Sequence, residues 1–162
     1  LEIEYLKKYE FYKQNGASKR ISAFGPPVGL TETEIKQLEL EMNNGNSFPK
    51  VYKEFLNIGG EFSCISLNHV GKNAGKLVIK YKEALRTRNV DIVRPIAILN
   101  TFEGQCGVFI FLDNEDNSQP WNFSIHKDYD NDEGEIIWKS PFKTLADMID
   151  ELVYISENNL SV

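Results

Sequence analysis

Few side chains in this chain suit nucleophilic catalysis or metal binding: Cys64, Cys106, His69 and His126. The two histidines lie far apart, and neither has a partner at metal-ligand spacing. A Cys106–His126–Asp triad can be drawn on paper. Cys106, however, shows no helix N-terminus or cationic neighbour to lower its thiol pKa. The run Gly71–Lys76 reads GKNAGK, with three residues between the glycines and Leu77 after the lysine. A phosphate loop needs four residues there, and a Ser or Thr hydroxyl for Mg²⁺, so a flexible basic turn is the better reading. Asp128, Asp130, Asp132 and Gly134 invite a calcium reading. An EF-hand counted from Asp128 would need Gly at its sixth place and Glu at its twelfth, where Glu133 and Lys139 stand. A solvated acidic turn is the better reading, with a loose, non-EF cation site on a hairpin as the alternative. The residues therefore predict no catalytic group, no cofactor and no metal, and a protein that binds but is not an enzyme.

Charge says what it would bind. Residues 61–112 carry seven basic and four acidic side chains, whereas residues 113–162 carry three basic and twelve acidic. Acid so concentrated repels phosphate backbones and anionic membranes and attracts cationic surfaces. The partner expected is another protein with a basic surface, not nucleic acid and not a membrane. Two cysteines do not make a disulfide framework, and buried reduced thiols fit a reducing, cytoplasmic setting. No apolar run approaches the ~18 residues of a membrane span. No signal peptide is visible, and the chain opens on Leu1 rather than Met.

The acidic residues must be positioned by turns. Asp113, Glu115 and Asp116 fall in the turn before Trp121, and Asp128, Asp130, Asp132, Glu133 and Glu135 in the next. Were both turns at one end of a sheet, these carboxylates would share a rim that speeds association with a basic protein. Trp121 would stand beside it as an anchor. Lys72, Lys76, Lys80, Lys82, Arg86 and Arg88 form a separate basic cluster, read as a solvated helix face, with the binding of a second partner as the alternative.

Periodicity supplies the elements. A helix over about Ile3–Gln14 docks through Ile3, Leu6 and Tyr9 or through Tyr5, Tyr9 and Tyr12, and a Gly/Pro-rich joint ends near residue 27. The body then runs over residues 28–162. Thr31 and Glu34 make a capping box, with Leu30 and Ile35 as a hydrophobic staple. Ile35, Leu38 and Met42 continue the stripe until Asn43-Asn44-Gly45 stops it. Pro49 suits the first turn of a third helix. Phe48, Tyr52, Phe55 and Leu56 form its apolar face, and Gly59-Gly60 ends it, one of them expected at positive φ. Glu61–Leu67 reads as a strand and Lys76–Arg88 as a helix. Strands follow at Pro95–Asn100, Gly107–Asp113, Trp121–Lys127 and Gly134–Ser140. The second is apolar on both faces, and the third keeps Asn122, Ser124 and His126 on a wet face. A last helix covers Thr144–Ser156. Short turns between successive strands predict an antiparallel meander flanked by helices at both ends of the chain, an α+β fold.

The stretch from Leu30 to Gly60, LTETEIKQLELEMNNGNSFPKVYKEFLNIGG, resembles the SUKH superfamily, the SMI/KNR type of domain. The residues carrying the likeness are Pro49, Tyr52, Phe55, Leu56, Gly59 and Gly60. Ile58 stands where the family often has Asn, and Phe48 replaces the commoner Leu. With the strand order and closing helix, the likeness spans about residues 28–155. It implies a binding role. Bacterial domains of this kind look like immunity proteins that neutralise a toxin, for example a nuclease or a deaminase. Fungal relatives act through protein contacts as regulators of cell-wall assembly, so a regulator or scaffold without a toxin partner is the alternative.

Overall fold

The apolar stretches between Pro95 and Ser140 pair each with the next, the first two across the tight turn 103–105 and the others across longer loops over 112–120 and 125–136. The computed structural model describes residues 1–16, 25–67, 71, 73–114 and 116–158. Strands β1 (Ile96–Phe102), β2 (Cys106–Phe111), β3 (Trp121–Ser124) and β4 (Ile137–Lys139) form one antiparallel sheet in the order β1-β2-β3-β4. Before it come helices α1 (Lys7–Phe11), α2 (Glu32–Met42), α3 (Lys50–Gly59) and α4 (Ala74–Arg86), and after it α5 (Leu145–Glu157). This is the expected α+β meander with helices at both ends.

The doubly apolar β2 divides two cores. Val108 and Ile110 pack with Ala97 and Leu99 of β1 against α1, α2, α3 and α5. Phe109 and Phe111 pack with Ile96, Ile98 and Phe123 against Tyr81 and Leu85 of α4. The aromatic rings of this second core meet edge to face, Tyr81 and Phe123 at 5.2 Å. Gly107 makes the arrangement possible, because a Cβ there would lie 2.9 Å from the Phe123 ring. The third strand is drier than its alternation suggests. Ser124 is buried and Asn122 half-buried, and only His126, beyond the strand, is exposed.

Helix starts follow local chemistry. The Thr31 hydroxyl accepts from Glu34 N, and Thr31 N donates to the Glu34 carboxylate at 2.9 Å, completing the capping box. Thr144 caps α5 by accepting from Asp147 N at 3.1 Å. Asn44 and Gly45, both at positive φ, carry the chain out of α2.

Three expectations fail for identifiable reasons. The first helix does not begin at Ile3, because Glu54 of α3 captures the backbone instead. Its carboxylate accepts the N–H groups of Glu4, Tyr5 and Leu6, each at 2.9 Å, and so holds residues 4–6 out of the helix. Past Phe11 the helix widens into a π-helical turn over Tyr12–Gly16. Glu61–Leu67 is not a strand. Only Phe62 pairs, in a single bridge to Val28. Cys64 then takes φ 56°, and the Ser63 hydroxyl bonds the carbonyls of Ile65 and Leu67 at 2.6 Å each. Neither Gly59 nor Gly60 adopts positive φ. They are glycines because of close packing: a Cβ on Gly59 would overlap the Tyr9 hydroxyl, and one on Gly60 would crowd Leu30 and the Leu56 carbonyl.

Candidate protein-binding surface

A meander places successive turns at opposite ends of the sheet. Trp121 pairs with Phe109 and with Lys139, whereas Ser124 pairs with Cys106. The turn holding Asp113 and Asp116 thus lies at one end, and the loop from Asp128 to Glu135 at the other, beside the β1–β2 turn. The single acidic rim does not form.

At the first end the acids are built into the fold. Asp113 accepts from Arg94, with Nη2 at 2.6 Å and Nε at 2.9 Å, and the guanidinium lies 3.8 Å from the Phe111 ring centre. Arg94 holds the Asp113 carboxyl below the ordinary carboxylate range. Asp116 serves the start of α3, where Pro49 offers no side-chain cap. Its carbonyl accepts from Val51 N at 2.9 Å. Asn117 and Ser118 do the same for α5, accepting from Ala146 N and Leu145 N. Trp121 is half-buried, edge to face with Phe111 at 5.8 Å, and Lys139 lies over its ring. Glu115, like Lys72 and His69, lies outside the described residues.

The opposite end differs. Asp130 is anchored by two parallel bonds from Arg88 at 2.6 and 2.8 Å, both side chains being largely buried, whereas Glu135 accepts from Asn131 Nδ2 at 2.8 Å and an Asp128 oxygen lies 3.3 Å from His126 Nδ1. Arg88 draws the Asp130 carboxyl below its usual range. Asn131 shapes the rest: its Oδ1 accepts from Glu133 N and Glu135 N at 3.1 and 2.7 Å, and Gly134 turns at φ 75°. Asp128, Asp132, Glu133 and Glu135 are left on the surface. Among the described residues no Lys or Arg pairs with any of the four. Tyr129 reaches across to the β1–β2 turn and donates to Glu103 at 2.7 Å. That contact joins the acidic loop to the turn that follows Phe102; Phe102 is 46% exposed and Tyr129 36%. This end of the sheet thus carries exposed aromatic residues and surface carboxylates.

Sequence reasoning missed Phe102, Glu103 and Tyr129. A faint signal was present, since Phe102 is a large apolar residue at the very tip of a strand, next to a Glu-Gly turn. Glu103 sits at φ 51°, a conformation costly for a residue with a Cβ, by about 1–2 kcal/mol. Glu103→Gly is therefore expected to raise the unfolding free energy by about 1 kcal/mol, measured in urea. A loss of stability would mean that the Tyr129 bond outweighs the backbone strain.

Burial, and then the charge of Glu103, push the Cys106 thiol above its usual value, which disfavours the thiolate. The His126 ring nitrogen accepts from Asp128 N at 3.4 Å. Among the described residues no three His, Cys, Asp or Glu side chains are grouped to hold a metal ion. No helix among them is long and apolar enough to cross a membrane.

No family model, curated protein or solved structure matches the chain. The surface itself therefore carries the functional argument.

Proposed function

We propose that this chain is a protein-binding domain of the immunity type, which neutralises a bacterial toxin by occluding it. The observation that carries this reading is the sheet end where Phe102 and Tyr129 stand exposed among Glu103, Asp128, Asp132 and Glu133. Carboxylates with no Lys or Arg partner steer a cationic surface into contact, and aromatic groups hold it once water is displaced. A nuclease or deaminase that grips a polyanion offers such a cationic surface. The resemblance of Leu30–Gly60 to the SUKH superfamily supports the same role. Binding, not catalysis, is the activity on this reading, and the free thiols of Cys64 and Cys106 suit a cytoplasmic site of action.

The test is co-purification with the product of the adjoining gene. The tagged chain is expected to retain that product as a stoichiometric complex and to relieve its toxicity when the two are expressed together. A neighbour that is neither toxic nor retained would favour the alternative, a regulator or scaffold of the SMI/KNR type.

A further inference from the structure

A second surface has opposite chemistry. A groove of about 590 Å³ lies between the end of α2, the first turns of α4 and the start of β1. Its walls are apolar at Met42, Val78, Ile79 and Pro95, and cationic at Lys76 and Lys82. Ile79 is 60% exposed, and Val93, just before Pro95, is 84% exposed. The first turn of α4 carries no carboxylate. Glu41 is the one acidic residue on the lining.

Gly75 lines this groove. It lies inside α4 and does not use positive φ. A Cβ there would stand 3.8 Å from the nearest atoms, those of Glu41 and Met42, in ordinary contact. Neither conformation nor crowding requires glycine, and its visible consequence is an open groove floor.

We propose that this groove binds an extended acidic segment of a partner protein. An aliphatic side chain of the segment lies over Met42, Val78 and Ile79, and its carboxylates meet Lys76 and Lys82. Lys82 already donates to the Arg94 carbonyl at 2.7 Å, and burial with Arg86 nearby holds its ammonium below the ordinary lysine range. An arriving carboxylate relieves that penalty. Nucleic acid fits less well, because Glu41 faces the groove and the apolar walls have no counterpart in a phosphate chain. The proposal is independent of the toxin reading, which concerns the opposite charge at another place.

Three probes test it on the intact chain: a fluorescein-labelled decapeptide of Asp and Glu with two leucines, the same peptide with serines for the leucines, and a ten-nucleotide oligo-dT. The leucine peptide is expected to bind saturably, with amide shifts confined to residues 41–42, 75–82 and 93–96. The serine peptide should bind at least about tenfold more weakly, as loss of one buried leucine predicts. Gly75→Trp should abolish binding, while Gly75→Ala, which leaves the groove open, keeps it and confirms that the position tolerates a side chain. Equal binding of both peptides, shifts elsewhere, no saturation at millimolar probe, or indifference to Gly75→Trp would overturn the proposal. Tighter binding of oligo-dT would assign the groove to nucleic acid, and probe competition with self-association in sedimentation would assign it to a second copy. Either result would also overturn it.

Discussion

Glu54→Ala is expected to lower the unfolding free energy by about 3 kcal/mol, the cost of stranding buried backbone donors. Glu54 is fully buried on α3, and its two oxygens take the N–H groups of Glu4, Tyr5 and Leu6. Alanine leaves those donors facing protein, the Leu6 amide completely so. Glu54→Gln retains one good acceptor but turns an NH₂ toward a backbone N–H, so about half the loss is expected. The damage is local first. Amide exchange over residues 4–12 should accelerate before the sheet amides do, because the N-terminal strap opens as a unit. A cost below about 1 kcal/mol would mean that water replaces the carboxylate and that the strap is held by packing alone.

Gly59→Ala should act on the same strap from the other side and cost about 2–3 kcal/mol, typical of overpacking. The new methyl would overlap the hydroxyl of Tyr9, which is fully buried and donates to the Ser63 carbonyl. Neither the ring nor the end of α3 can yield without opening the core that Tyr9 shares with Phe55. Tyr9→Phe in the same chain removes the colliding oxygen and should recover about 1 kcal/mol or more, read as a coupling in a double-mutant cycle. Additive costs would place the strain elsewhere.

How much of this was legible beforehand depended on the range of the causes. The capping box at Thr31, the stop at Asn44-Gly45 and the two-faced strand Cys106–Phe111 depend on neighbours a few residues away, and their residue types announce them. The start of α1 depends on Glu54, some 48 residues distant, so periodicity alone ran the helix too far toward the N-terminus. Glycine types at 59 and 60 suggested a backbone need, whereas the need was room for Tyr9 and Leu30. The surface suffered most. Acidic composition was read correctly as acidic, but not which acids were free. Arg88 removes Asp130 from the set across 42 residues, and Arg94 removes Asp113 across 19. The split of the rim was in principle deducible, since consecutive turns of a meander alternate between sheet ends. Tyr129, which reaches the β1–β2 turn only through its bond to Glu103 in the folded chain, had no comparable local mark.

The central claim is that the carboxylates at the Phe102–Tyr129 end steer a basic protein onto this domain. The most direct measurement is the association rate of the co-purified partner with a chain carrying Asp128, Asp132 and Glu133 all changed to Lys. Asp130 is left untouched because its pairing with Arg88 is structural. The rate at low salt is expected to fall by about tenfold or more, with most of the difference vanishing at high salt and the melting temperature preserved. An unchanged rate across the salt series, with the fold intact, would contradict the claim and remove this surface from the mechanism.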